Sequence, residues 1–287
     1  MSEHAESSGD LDEYCDDWPP GCLPISETMD LCNITYSRAA TVAAFQDYYD
    51  FLTKMYLDPK YLMQPPEGGW PEITPENLKD LNKTDEVVPL LRCLPYVRKR
   101  SWYLCPGAGF CVFADWASYA RDVSSSPPLY PASDASQITE LPFDHVPPHV
   151  IGLVESKHYK MFLDTHLGVI YFCGTAFGYP AVINDRVEQP IQPVQDEPHD
   201  YAPEEEADWR SGGGVSNCCW AIADFFEVLK HLFRELNYNP YAEAGKMVSE
   251  IFRRHGWPDS PDFSREQCMD DVEKQIKEHY PDRFFPD

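Results

Sequence analysis

Basic residues are scarce in this chain: 23 Lys and Arg stand against 48 Asp and Glu across 287 residues, a formal net charge of −25. Nucleic-acid affinity comes largely from cations that displace counterions from phosphates, so this balance argues against a nucleic-acid partner. It also disfavours an anionic membrane face. The only dense basic run, Arg98-Lys99-Arg100, is too short to track a groove. Long apolar runs are missing as well, since no stretch reaches the ~18 consecutive apolar residues of a membrane span. The opening MSEHAESSGDLDEYCDDW has neither the basic nor the apolar segment of a secretory signal. A cytoplasmic location is therefore expected, with the nucleus as second choice, and the 10 Cys are expected to be mostly reduced thiols.

Signatures of chemistry are equally thin. Gly212-Gly213-Gly214 lacks the Lys-Ser/Thr of a phosphate loop and reads as a flexible joint. Pro106-Gly107-Ala108-Gly109 is half a dinucleotide fingerprint and reads as a turn. No Gly-x-Ser-x-Gly nucleophile elbow occurs. Cys218-Cys219 is a vicinal pair with no second pair at zinc-ribbon spacing. His145 and His149 are four apart, but Pro147-Pro148 between them excludes a shared helix face. Asp196-Glu197-Pro198-His199-Asp200 collects hard oxygen ligands without the glycine-spaced order of a calcium loop, and reads as solvated. Glu155 and Asp164, taken as an acid/base pair across a sheet, read as surface groups. No cofactor and no metal are expected.

What is present is a core-forming pattern. Hydrophobic residues make up 43% and aromatics 14%, enough for large rings to dominate an interior. The 27 Pro predict short elements joined by long connections. Residues 1–37 read as a mobile acidic leader and 38–287 as one α+β domain, in which N-terminal and C-terminal helices pack a small antiparallel sheet. Helices are predicted over 39–57, from Thr74-Pro75 onward, over 85–94, 220–236, 242–254 and 265–280. The helix at 220–236 is the clearest: Ile222, Phe225, Phe226, Leu229, Phe233 and Leu236 repeat at three- and four-residue steps and form one stripe. Trp102-Tyr103-Leu104 is a candidate strand, and 111–121 fits strand or short helix equally. A three-stranded meander is predicted across 149–174, with a turn at 165–168 in which Gly168 takes positive φ. An acidic loop is predicted at 184–214.

Two readings of function follow. In the first, the protein is a non-enzymatic interaction module with a protein partner of basic character. Its contacts would be Trp70, Trp209 and Trp257, each in or beside an irregular segment, and the acids Glu204, Glu205 and Glu206. A Trp in a turn more often pins the loop to the core, so the anchoring role competes with that reading. In the second, an enzyme of unrecognised type acts on a small metabolite between the meander and the 220–236 helix, using Asp164, His166, Cys219 or Asp224.

The segments FQDYYDFLTKMYLDPKYLMQPPEGGWPEIT, LPYVR, WAIADFFEVLKHLFREL and HGWPD resemble a family of uncharacterised proteins of filamentous fungi, over about residues 38–285. That resemblance implies no reaction. LDTHLGVIYF at 163–172, followed by Phe225, Phe226 and Leu229, is similar to the SUKH superfamily of fungal cell-wall regulators and bacterial toxin-immunity proteins. The chain lacks the Leu-Pro-x-x-Tyr-x-x-Phe-Leu element and Asn-Gly pair of that group. The SUKH resemblance implies a binding module.

Overall fold

The apolar stripe that begins at Ile222 finds its partner surface on two sides, a helix and a sheet. In a computed structural model, which describes residues 30–98, 112–125, 139–143, 145–156, 159–174, 190–194, 198, 201–210, 218–238 and 244–281, the stripe lies on helix α5 (Ile222–Arg234). The first long helix, α1 (Arg38–Thr53), starts where the Ser37 hydroxyl accepts the Ala40 N–H. Its Phe45 and Tyr48 rings meet Phe226 of α5 at 4.6 and 5.2 Å between centroids. Burying each such ring contributes roughly 1.5–3 kcal/mol. The fold is α+β with antiparallel sheets.

Between α1 and the main sheet run short elements. Strands β1 (Leu62–Met63) and β2 (Tyr96–Val97) pair antiparallel and flank α2 (Val87–Cys93). Thr74 does accept the Asn77 N–H, as an N-cap should, but only turns and a 3-10 turn at Lys79–Leu81 follow it, not an α-helix. Asn82 in left-handed conformation ends that turn. The ambiguous 111–121 segment is both things at once: strand β3 (Val112–Phe113), then helix α3 (Trp116–Ser124), capped by Asp115. The candidate strand at 102–104 and the triglycine lie outside the described residues.

The main sheet has the order β4-β6-β7-β8, all antiparallel. It comprises β4 (Val150–Gly152), β6 (Tyr159–Asp164), β7 (Val169–Gly174) and β8 (Cys218–Ala221), while β5 (Val154–Glu155) pairs with β3. The predicted meander is thus extended by a fourth strand. Trp220, expected to open a helix, instead ends in β8 opposite Ile170, and the helix begins two residues later. Helical spacing could not reveal this, because the stripe itself starts only at Ile222.

Every residue of β6 is buried, so both faces of the sheet are covered. Ile151, Met161, Leu163, Ile170, Phe172 and Trp220 face the large core, shared with α1, α2 and α5. Val150, Phe162, Val169, Tyr171, Cys173 and Cys219 face a second, smaller core. That second face is roofed by Leu31, Phe143, Val194, Tyr201 and Trp209. Within the stretch expected as a leader, Leu31 and Ile34 pack against this second face, while 1–29 lie outside the described residues. The cause is close backbone contact at the β6–β7 turn, where a Cβ on Gly168 would lie 2.8 Å from the Tyr36 nitrogen. The C-terminal helices α6 (Gly245–Arg254) and α7 (Arg265–His279) pack on each other and join the large core through Phe252, Cys268 and Val272.

Candidate functional site

The second face of the sheet carries a charged interior. Asp164 ends β6 and is fully buried. Its Oδ1 accepts the His166 and Leu167 backbone N–H groups at 2.8 and 3.0 Å, an Asp-initiated turn that explains why the chain reverses there. Its Oδ2 accepts from the Arg210 guanidinium at 2.9 Å. Arg210 ends α4 (Ala207–Arg210), which follows a 3-10 turn at Glu204–Glu206. The same guanidinium donates to Glu206 Oε2 at 2.6 Å and to the Tyr171 hydroxyl at 2.8 Å, and lies over the Trp209 ring at 4.2 Å. The Tyr171 and Tyr201 hydroxyls are 2.6 Å apart. Burial alone would lower the Arg210 pKa, but the Tyr171, Asp164, Tyr201 and Glu206 oxygens outweigh it and hold the pKa above its ordinary value.

Beside this cluster, the His149 and His166 rings stack at 3.8 Å with planes 3° apart. Thr165 ties the two strands together, its N–H and hydroxyl both donating to the His149 carbonyl. His149 Nε2 lies 3.8 Å from Asp164 Oδ2, beyond hydrogen-bond reach. Burial lowers the His149 pKa from 6.5 to about 4; Asp164 opposes this, while His166, Arg210 and Lys83 reinforce it. Lys83 is itself buried against Glu140 at 2.9 Å, and burial lowers its pKa despite that partner. The cluster thus pairs buried charges of both signs: Arg210 with Asp164 and Glu206, and Lys83 with Glu140. Among the described residues no group of three His, Cys, Asp or Glu is arranged to hold a metal.

The expected site residues scatter. Trp70, expected as an interface anchor, is buried, and its indole N–H donates to the Leu94 carbonyl at 2.8 Å. Trp209 is wholly buried beneath Arg210. Trp257 is half-buried among Phe51, Phe252 and Phe263 and donates to the Arg234 carbonyl. Trp70 and Trp257 pin irregular segments to the core by burying the ring and donating the indole N–H, whereas Trp209 buries its ring from within α4. Glu206 is buried on Arg210, while Glu204, Glu205 and Asp208 face outward.

The alternative site is dispersed too. Asp164, His166 and Cys219 belong to the second face of the sheet or its turn, but Asp224 sits in the first turn of α5, on the opposite face. The space between sheet and α5, expected to hold a metabolite, is filled by Phe225, Phe226 and Leu229 against Ile170 and Phe172. Glu155 lies on β5, which pairs with β3 outside the main sheet, whereas Asp164 ends β6 opposite Val150. His145 is not the partner of His149 at all. The Asp196 to Asp200 acids lie outside the described residues.

Sequence reasoning missed Arg210, His149, Tyr171 and the Lys83–Glu140 pair. One signal was available: Glu206 and Arg210 stand four apart inside an acidic stretch, the spacing of a helical ion pair. The others meet only across strands. In comparison with known proteins, no family model, no curated protein and no solved structure matches this chain. No helix among the described residues is long and apolar enough to cross a membrane.

Proposed function

We propose that this chain is a non-enzymatic binding protein of the cytoplasm whose acidic surface engages a basic, Lys- and Arg-rich protein. One observation carries the reading: the segment 204–210 is a rigid acidic ridge. Its inward residues Glu206, Trp209 and Arg210 are locked in the interior, so Glu204, Glu205 and Asp208 are presented outward on a fixed frame. A backbone anchored beneath the acids has little freedom to lose when a partner arrives, and a surplus of one sign speeds encounter with the other. The rest of the described surface supports a polar contact, since Leu141, at 46%, is its only exposed large hydrophobic residue. The SUKH resemblance of 163–172 favours the same class of role, and that segment is the hairpin that carries Asp164.

The test is fluorescence anisotropy with a labelled Lys/Arg-rich peptide. The wild type should bind and weaken steeply with salt. The variant E204Q/E205Q/D208N should bind roughly tenfold more weakly, from exposed pairs worth about 0.2–1 kcal/mol each. Equal binding by the triple variant, or binding indifferent to salt, removes the ridge as the contact surface.

A further inference from the structure

Arg210 holds the ridge through Asp164, Glu206 and Tyr171, and one of these acceptors, Asp164 Oδ2, also faces His149. Asp164 Oδ2 holds Arg210 at 2.9 Å and has His149 Nε2 at 3.8 Å. Asp164 Oδ1 is already taken by two backbone N–H groups. The His149 side chain is 20% exposed, so protons reach it from solvent while its charge would remain largely unhydrated. The groups that face it are Asp164 from β6, His166 from the β6–β7 turn, Arg210 from α4, and Lys83, with its partner Glu140, from the segment ahead of α2. The Thr84 N–H donates to the Pro148 carbonyl and holds that last segment in place. A neutral His149 stacks on His166 and leaves Asp164 to Arg210. A charged His149 is disfavoured in that arrangement, because it would stack on a second imidazole and lie near Arg210 and Lys83, while Asp164 is the carboxylate that favours its charge.

We propose that the His149–His166 stack is an acid-sensitive latch: protonated His149 swings onto Asp164 Oδ2, weakens the hold on Arg210, and loosens the ridge at 204–210. The step moves one proton from solvent onto the His149 ring and breaks no covalent bond. Its value as regulation rests on the ridge being the partner-binding surface, whereas the latch itself is a property of the buried cluster. Loosening the frame returns freedom to Glu204, Glu205 and Asp208, so the partner is released in acid.

Hydrogen–deuterium exchange read by mass spectrometry tests this on the full chain without any partner. Exchange of peptides covering 145–150 and 204–210 is compared at pH 7 and near pH 4, after correction for the intrinsic rate. In the wild type, protection of 204–210 should fall by about tenfold or more on acidification. H149Q should keep its protection. H166Q removes a neighbour that disfavours the charged ring, so its loss of protection should begin at higher pH. The latch is overturned if the wild type stays protected, or if H149Q loses protection as the wild type does. Melting at pH 7 reports whether H149Q folds; if it does not, an unshifted transition in H166Q overturns the proposal on its own. Because no partner is present, a negative peptide-binding result leaves this outcome untouched, and the reverse also holds.

Discussion

Replacing Arg210 by Met is the sharpest perturbation of this fold. The side chain is 3% exposed and makes hydrogen bonds to Glu206, Tyr171 and Asp164 while lying over Trp209. Methionine fills much of the same volume, so the cavity cost is small. What is lost is the cation that is hydrogen-bonded to Asp164, a fully buried carboxylate. Breaking a buried pair from one side costs about 3–5 kcal/mol, because the remaining charge is left without compensation. With a urea m-value of roughly 3 kcal/mol/M, R210M should lower the unfolding midpoint by about 1–1.7 M without changing the slope. R210K keeps the charge but not the planar fork or the stacking, and should fall between the two. The double variant D164N/R210M should cost less than the sum of its singles, since each removes the reason for the other's penalty. If R210M unfolds within about 1 kcal/mol of the wild type, the cluster is not what secures the second face of the sheet.

Two further outcomes follow from the same geometry. Gly168 has φ +75° and its Cβ position is 2.8 Å from the Tyr36 backbone nitrogen, so G168A should cost about 2–3 kcal/mol in urea unfolding and detach 30–37 from the turn; a loss below ~0.5 kcal/mol would show that contact to be loose. His149 is held neutral, its pKa lowered from 6.5 to about 4, so the unfolded chain binds its proton first. Stability should be full above pH 6.5 and fall by about 3 kcal/mol as pH drops to about 4. Urea midpoints taken across that range should slope for the wild type and lie flatter for H149Q.

The sequence carried the large core in readable form. Phe45, Tyr49 and Leu52 on one helix, and Phe225, Phe226, Leu229 and Phe233 on another, sit at helical spacing, and they meet as that spacing implies. The turn at 165–168 was legible for the same reason, since Gly168 is the residue that takes positive φ without a Cβ clash. β8 was not legible, because four residues between the acidic stretch and a strong helix give no period of their own. The three tryptophans were placed in their irregular segments, but local sequence cannot say whether a ring in a turn looks inward or outward.

By itself the chain determined its class, its long helices, its hairpin and the sign of its charge, because periodicity and charge are local and additive. Only the tertiary structure decided that Asp164, Arg210, His149 and Tyr171 share one interior. They come from four separate segments, and nothing but strand register and the roof over the second face brings them within hydrogen-bond or ring-stacking distance. It also decided which acids stay outside, since one guanidinium drew Glu206 inward and left Glu204, Glu205 and Asp208 to solvent.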